Sequence, residues 1–299
     1  MNDMQEYLVT EFIEEYEDGY LSRADLEQRV VGILGEPQAG PLLAGVPVRA
    51  GGQWQRSPAL ATPIRGGAGL ETSDVSISVQ GAQLLGYLAA PEGSGSHPAI
   101  LAVHENRGLV EHTRDCARRL ASEGYVVLAA DLLSRQGGSG KFPDPNDAIA
   151  ALGQSDPEQN ANDLVTALDW LAQQPNVDAS RLGVTGWCMG GGYTWRVATR
   201  AGTKIRAAVP WYGPNPPSGV ENIGAPVFAI YGALDERINA GIDAITDQMR
   251  TSGKAFDKKI YPNAQHAFNN DTNAERYNAE QAPIACKDML QFFQKHLKG

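Results

Sequence analysis

A cysteine stands at the centre of a glycine-flanked turn that could expose it as a nucleophile. The run Gly186-Trp187-Cys188-Met189-Gly190 follows an apolar stretch at 181–185 and precedes a helical stretch from Tyr193. When a strand turns sharply into a helix around such a residue, its side chain stands above the sheet, and the glycines remove Cβ atoms that would clash. The backbone N–H of Met189 would then face an oxyanion formed on a substrate. The motif alone leaves a second interpretation open, a buried cysteine at a tight turn.

An acid and a histidine follow the cysteine, each on a loop after a predicted strand. The apolar run 226–232 comes just before Asp235, and a second short strand at 257–261 precedes His266. Taken singly, Asp235 could cap a helix that begins near Ile238, and His266 could be a surface histidine. Nucleophile, acid and histidine is, however, the chain order of α/β-hydrolases. The order and placement therefore predict a triad in which the acid orients the imidazole and the imidazole activates the thiol.

Five stretches of the sequence form a pattern more specific than the triad alone. They are residues 104–108 after a strand at 99–103, residues 114–121 leading into 124–135, the cysteine turn, the Asp235 loop and residues 266–268. This pattern resembles the dienelactone hydrolase family over roughly residues 74–297, and cysteine in the turn separates that family from the commoner serine esterases. The resemblance implies an α/β-hydrolase fold and hydrolysis of a carboxylic ester or lactone through an acyl thioester.

The resemblance also assigns roles outside the triad. Glu105 matches a glutamate that lies close to the thiol and influences its ionisation. The N–H of Asn106 would join that of Met189 in an oxyanion hole. Arg135 matches an arginine that helps to bind the carboxylate of an anionic substrate. For Glu105 a structural ion pair with Arg107 or another arginine is the alternative.

One position departs from the family pattern. Family members that act on dienelactone commonly carry a second arginine four residues after the histidine, and this chain has Asn270 there. Arg107 or Arg237 could supply the missing positive charge to the substrate. The substrate is therefore left open between a lactone, a linear ester and a thioester, with neutral short-chain esters as the alternative class.

Composition limits the partners and the compartment. The chain has 299 residues, of which 42% are hydrophobic and 20% charged, and its net charge is −10. That charge argues against nucleic acid and anionic membranes as partners, and the first residues do not have the pattern of an export signal. Cys116, Cys188 and Cys286 cannot all pair, and their spacing fits neither a disulfide framework nor a zinc site. We expect a cytoplasmic enzyme without a metal or cofactor, with Cys116 and Cys286 as core residues.

Residues 1–35 are predicted to form a helical arm. The first helix spans about 4–17 and carries an apolar stripe, and the second follows a cap at Ser22. We expect the stripe (Tyr7, Leu8, Phe12 and Ile13) to pack on a second subunit in preference to its own chain, giving a homo-oligomer. Residues 36–70 are rich in Gly, Pro and Ala and predict a linker without helices or strands of its own. The arm is not expected to contribute to catalysis.

Residues 71–299 are predicted to form the catalytic domain. A hairpin at 74–79 and 84–88 begins the sheet, after which strands and helices alternate. Alternation of this kind is typical of a mostly parallel sheet with helices on both faces.

Two functions of other classes remain. The turn could be catalytically silent in a binding module that acts through the arm. The thiol could instead be a redox sensor, since an exposed cysteine of low pKa oxidises readily, although no resolving cysteine lies nearby in the sequence.

Overall fold

The computed structural model describes residues 1–48 and 69–299, and within them eight strands form one sheet. The strands are β1 Leu70–Val79, β2 Ala82–Pro91, β3 His97–Val103, β4 Val126–Ala130, β5 Val177–Trp187, β6 Ala207–Trp211, β7 Val227–Gly232 and β8 Phe256–Tyr261. Their spatial order is β1-β2-β4-β3-β5-β6-β7-β8. The pairs β1–β2 and β2–β4 are antiparallel and all others are parallel. The mostly parallel sheet of an α/β-hydrolase is confirmed.

Helices cover both faces of this sheet. Every residue of β4, β6 and β7 is buried, and because successive side chains point to opposite faces, neither face of these strands is open to water. The α-helices are α1 Asp3–Glu17, α2 Arg23–Leu34, α3 Glu36–Ala44, α4 Glu111–Ser122, α5 Pro145–Gln154, α6 Pro157–Leu171, α7 Met189–Ala201, α8 Glu236–Asn239, α9 Ile242–Thr251 and α10 Gln281–Phe293. Short 3-10 turns lie at Ser134–Gln136, Ser139–Lys141, Gly202–Lys204 and Val220–Asn222, and a π-helical turn at Gln294–Lys298.

The predicted hairpin is present at the edge of the sheet. Val79 pairs with Ala82, so Gln80 and Gly81 form a two-residue turn, and Gly81 has a φ of 72°. Such tight turns need positive φ angles that glycine adopts without strain. In the described part of the chain, no helix has the length and apolar character needed to cross a membrane.

Both predicted helices of the arm are confirmed, each with a capping box. Asn2 accepts a hydrogen bond from the N–H of Gln5 at the start of α1, and Ser22 does the same for Asp25 at α2. The expectation of no regular structure after residue 35 is wrong for 36–44, which form α3 with a proline in its first turn. Proline is tolerated there because the first helical N–H groups have no partner within the helix. The rest of the predicted linker, from 49 to 68, lies outside the described residues.

The arm packs on its own chain. Leu8 and Phe12 are fully buried within the single chain, and α1 contacts α2 and α5. Ion pairs join α1 to the rest of the chain through Asp3 to Arg196, Glu14 to Arg237, and Glu15 to both Arg29 and Arg276. The preference for a second subunit as the cover of the apolar stripe is therefore wrong, because the body of the same chain already covers it.

Candidate active site

Cys188 occupies a strained turn between β5 and α7. Its φ is 57° and its ψ −122°, a conformation that L-residues rarely adopt. The glycines on either side are required by close packing, since a Cβ on Gly186 would lie 2.3 Å from Gly190 O, and a Cβ on Gly190 would lie 2.3 Å from Val103 O. The turn holds the thiol at the carboxyl end of the central strand, where the sequence places it.

His266 and Asp235 meet on the loops after β8 and β7. The imidazole Nδ1 donates to Asp235 Oδ2 at 2.6 Å, while the other oxygen of Asp235 accepts from the N–H of Ile238 at 3.3 Å and caps α8. The two interpretations of Asp235, helix cap and partner of the histidine, are therefore both correct. Burial would raise the pKa of Asp235, but His266 beside it lowers that pKa below its usual value. Burial would likewise lower the pKa of His266, yet Asp235 and Cys188 raise it well above its usual value.

The thiol is buried and lies near carboxylates. Cys188 is 2% exposed. Burial raises the pKa of the thiol, and the Glu11 carboxylate raises it further, against the lowering effect of His266. Glu105 acts in the same direction as Glu11 but more weakly. The lowering effect of the imidazole does not prevail, because burial and then the Glu11 carboxylate, which the sequence analysis had not considered, raise the pKa.

Glu105 is held by neutral donors. Its carboxylate accepts from Asn270 Nδ2 at 2.5 Å and from the Tyr212 hydroxyl at 3.5 Å. In the part of the chain that the structure describes, Glu105 forms no ion pair with Arg107, whose side chain is exposed. Asn270, which stands where the family's second arginine is expected, thus binds Glu105.

A buried histidine fixes the loop that follows β3. The N–H of Leu132 donates to His104 Nε2 at 3.0 Å, so Nδ1 carries the proton and donates to the Glu105 carbonyl at 2.5 Å. This pairing presents Asn106 to the cavity beside the thiol. Met189 begins α7, and the first N–H groups of a helix have no acceptor within it. The two residues expected to form the oxyanion hole therefore lie on the loop and the helix that adjoin Cys188.

Arg135 is not brought to the thiol. Its guanidinium binds both oxygens of Asp163 on α6, at 2.7 and 2.9 Å, and the Gln80 carbonyl at 2.8 Å. The buried Asp163 carboxylate needs a positive partner, and the planar guanidinium satisfies both of its oxygens. Among the described residues, the arginines that line the cavity beside Cys188 are Arg29, Arg107 and Arg276.

The arm contributes two side chains that the sequence analysis missed. The Tyr7 hydroxyl lies 3.3 Å from Cys188 Sγ. Glu11 Oε1 lies 3.7 Å from the same sulfur and 3.5 Å from His266 Nε2. Two side chains of the arm therefore adjoin the thiol, which the sequence analysis did not predict. One signal was available, because Glu11 is one turn after Tyr7 beside the apolar stripe, and a carboxylate on a buried helix face needs a polar partner.

Four pairings hold α1 over the thiol and leave little space there. Arg237 donates to Glu14 at 2.9 Å and lies 4.6 Å from the centre of the Tyr7 ring. Glu15 accepts from Arg29 and from Arg276, each at 3.0 Å. The remaining cavity beside the sulfur has a volume of about 30 Å³, which suits one or two water molecules.

Cys116 and Cys286 have partners other than Cys188. Cys116 is buried with its sulfur 3.8 Å from His112 Nε2, and His112 Nδ1 lies 3.3 Å from Asp271 Oδ1. Cys286, half-buried on α10, donates to Asn269 Oδ1 at 3.0 Å. Both cysteines pack on the interior side of helices, as the sequence predicts.

Comparison with known proteins gives the same family that the motifs suggest. The family described as the dienelactone hydrolase family matches residues 84–297. A Methylorubrum extorquens protein assigned as a carboxymethylenebutenolidase is 34% identical over 241 residues, covering 76% of this chain and 82% of that protein. An Escherichia coli protein with the same assignment is 33% identical over 235 residues, covering 74% and 86%.

Solved structures give a similar result for the fold. The crystal structure of a Klebsiella pneumoniae protein assigned as a dienelactone hydrolase has 34% identity and a TM-score of 0.69, and the match covers 75% of this chain and 98% of that one. A dienelactone hydrolase from Anabaena variabilis, at 22% identity and a TM-score of 0.61, has the same fold. The family match begins at residue 84, so α1, α2 and α3 lie outside it.

Proposed function

We propose that this chain, which belongs to the dienelactone hydrolase family, hydrolyses a carboxylic ester or lactone with Cys188 as the nucleophile. One observation carries the proposal. His266 donates through Nδ1 to Asp235 at 2.6 Å, and its Nε2 lies within 4.8 Å of the Cys188 sulfur. An imidazole fixed in this tautomer has a lone pair available on the side of the thiol.

The first half of the reaction forms an acyl thioester. His266 Nε2 accepts the thiol proton, and the sulfur attacks the carbonyl carbon while the electron pair of the C=O bond moves to oxygen. The N–H groups of Met189 and Asn106 stabilise that oxyanion, and Asp235 stabilises the imidazolium. When the tetrahedral intermediate collapses, the leaving alkoxide takes the proton from His266.

The second half restores the thiol. A water molecule gives its proton to His266 and attacks the thioester carbonyl, and a second tetrahedral oxyanion forms in the same position. Its collapse releases the carboxylic acid product and returns the proton to the sulfur. No other group has to change its protonation state over the cycle, which agrees with the neutral donors around Glu105.

The placement of the arginines is compatible with an anionic substrate but does not require one. Arg29 and Arg276 share the single carboxylate of Glu15, and Arg135 is paired with Asp163. Arg107 lines the cavity, its side chain is exposed, and no ion pair to it is found in the described residues. We propose that Arg107 binds the carboxylate of an anionic ester or lactone, with neutral short-chain esters and thioesters as the competing class.

Substrate entry requires α1 to move. A cavity of about 30 Å³ cannot hold a lactone ring, and the side chains that fill the space are Tyr7 and Glu11. The test of the proposed function is a hydrolysis panel of dienelactone, p-nitrophenyl esters and acyl thioesters, run on the full chain and on Cys188→Ala. Turnover of none of these by the full chain, or equal turnover by the variant, would contradict the proposal.

A further inference from the structure

Donor atoms of Glu11, Cys188 and His266 converge on one point in the site. Glu11 Oε1 lies 3.7 Å from the sulfur and 3.5 Å from His266 Nε2, and one donor atom from each residue lies within 4.8 Å of the others. In tetrahedral zinc sites with Zn–S of about 2.3 Å and Zn–N or Zn–O of about 2.0–2.1 Å, donor atoms are about 3.3–3.6 Å apart. Small side-chain shifts would therefore bring these three atoms around one ion.

His266 is oriented as a metal-binding imidazole. It is 4% exposed, and its buried Nε2 has no hydrogen-bond partner within the described ranges 1–48 and 69–299. The Nδ1 donates to Asp235 at 2.6 Å. A carboxylate in that position fixes the tautomer that has its lone pair on Nε2, and ligand histidines in metal sites are usually held in this way.

The charges around the point also suit a dication. One thiolate and one carboxylate supply two negative charges, which balance a 2+ ion. The nearby cations of the arm interface already have anionic partners, since Arg237 binds Glu14 and Arg276 binds Glu15. The Tyr7 hydroxyl, 3.3 Å from the sulfur, can donate a hydrogen bond to the thiolate. Thiolate, imidazole and carboxylate are the ligand types that zinc selects.

We propose that Glu11, Cys188 and His266 form a binding site for zinc or a similar thiophilic divalent cation. On binding, the thiol releases its proton to solvent, sulfur–metal and nitrogen–metal bonds form, and no electron transfer occurs. The ion occupies the nucleophile and the general base together, so it inhibits the enzyme, and its bond to Glu11 ties α1 to the catalytic domain. The inhibition rests on the proposed function, whereas the binding does not.

The test is a titration of the reduced full-length protein with Co²⁺, followed by competition with Zn²⁺. We expect one ion per chain, a sulfur-to-cobalt charge-transfer band in the near ultraviolet and the visible bands of tetrahedral cobalt. Cys188→Ala should lose the charge-transfer band. Glu11→Gln should weaken binding at least about tenfold, the scale on which changes around a metal site usually act. Glu17→Gln is the matched control, because it changes an exposed carboxylate at the end of the same helix, and it should keep the spectrum.

Two outcomes would overturn the site. One is the absence of a tetrahedral spectrum in the wild-type protein. The other is equal affinity in Glu11→Gln and wild type, with circular dichroism showing both to be folded, since the arm would then supply no ligand. If cobalt binds as expected but no ester is hydrolysed by the metal-free protein, the proposed function fails and the metal site stands. If esters are hydrolysed and stoichiometric zinc leaves the rate unchanged, the inhibitory role is wrong.

Discussion

Glu11 lies 3.5 Å from His266 Nε2, while Asp235 lies 2.6 Å from Nδ1 of the same ring. His266 is therefore placed between two carboxylates, one from the N-terminal arm and one from the loop after β7. In the proposed mechanism Asp235 orients the histidine and stabilises its imidazolium. Glu11 instead occupies the side of the ring from which the thiol proton must arrive, so the described state is closed toward substrate.

Replacing the nucleophile should remove turnover. Cys188→Ala should leave at most the residual catalysis of binding and the oxyanion hole, on the order of 10³-fold above the reaction in water. Loss of activity in the wild type should follow stoichiometric alkylation by iodoacetamide. Cys116→Ala is the control, because that sulfur contacts His112 and not the site. A Cys188→Ala variant that keeps most of the wild-type rate would refute the assignment.

Substitutions of His266 and Asp235 should slow the chemical step more than they weaken substrate binding. His266→Ala and Asp235→Asn should each lower kcat far more than they change KM, on the order of 10³–10⁴-fold, and the double variant should be little worse than either one. His112→Ala is a suitable control because its ring contacts Asp271 and Trp187 and not the sulfur of Cys188. Normal turnover in His266→Ala would leave the chain without its general base and contradict the triad.

The thiol should titrate above the ordinary range. Burial and then Glu11 raise the pKa of Cys188, and only the thiolate reacts with iodoacetamide. The alkylation rate should therefore rise with pH around a midpoint above that of a free cysteine. Glu11→Gln removes a negative charge 3.7 Å from the sulfur, so the midpoint should move to lower pH. Glu17→Gln, which changes an exposed carboxylate on the same helix, should not move it. An unmoved midpoint in Glu11→Gln would be evidence against this electrostatic account.

Substitutions of Arg107 and Arg135 should have different effects, the first on substrate specificity and the second on stability. Arg107→Ala should raise KM for anionic esters and leave neutral esters unaffected, because the exposed guanidinium at the cavity is proposed to bind a carboxylate. Arg135→Ala should lower the free energy of unfolding by about 1–3 kcal/mol, since it leaves the buried Asp163 carboxylate without its partner. Urea unfolding and paired kinetics on acidic and neutral esters distinguish the two. A selective loss of anionic esters in Arg135→Ala would restore the role that the family resemblance gives it.

Deleting the arm should open the site and destabilise the fold. A protein that lacks residues 1–70 keeps every proposed catalytic group but exposes the surface that Leu8 and Phe12 cover. We expect a lower Tm, faster alkylation of Cys188 and retained hydrolysis of activated esters. The milder Tyr7→Ala should also speed alkylation, and it keeps the helix. Complete loss of activity in a truncated protein that is still folded would place part of the catalytic machinery in the arm.

The sequence is most informative where the deciding contacts are local. The turn at Cys188 and the caps at Asn2 and Ser22 depend on neighbouring residues, so the motifs predict them. Asp235 and His266 were found because parallel strands bring their carboxyl ends to one edge. Glu11 was missed because its contact with Cys188 spans 177 residues. Arg135 was misplaced because nothing in the local pattern shows that Asp163, 28 residues later, takes its guanidinium.

The contact between Tyr7 and Cys188 joins residues 181 positions apart, which has a consequence for the order of folding. The surface that receives α1 is assembled from β5, α7 and the loops after β7 and β8. Because α1 is synthesised before these segments, it has no complete surface to pack on until they are in place. Contacts between residues so far apart in the sequence require a large loss of chain entropy, so we expect them to form late in folding. We therefore expect a nascent chain to pass through an intermediate in which the sheet is complete and the Cys188 sulfur is not yet covered by α1. Pulsed alkylation during refolding would reveal that intermediate as a short interval of high reactivity that ends when the N-terminus docks.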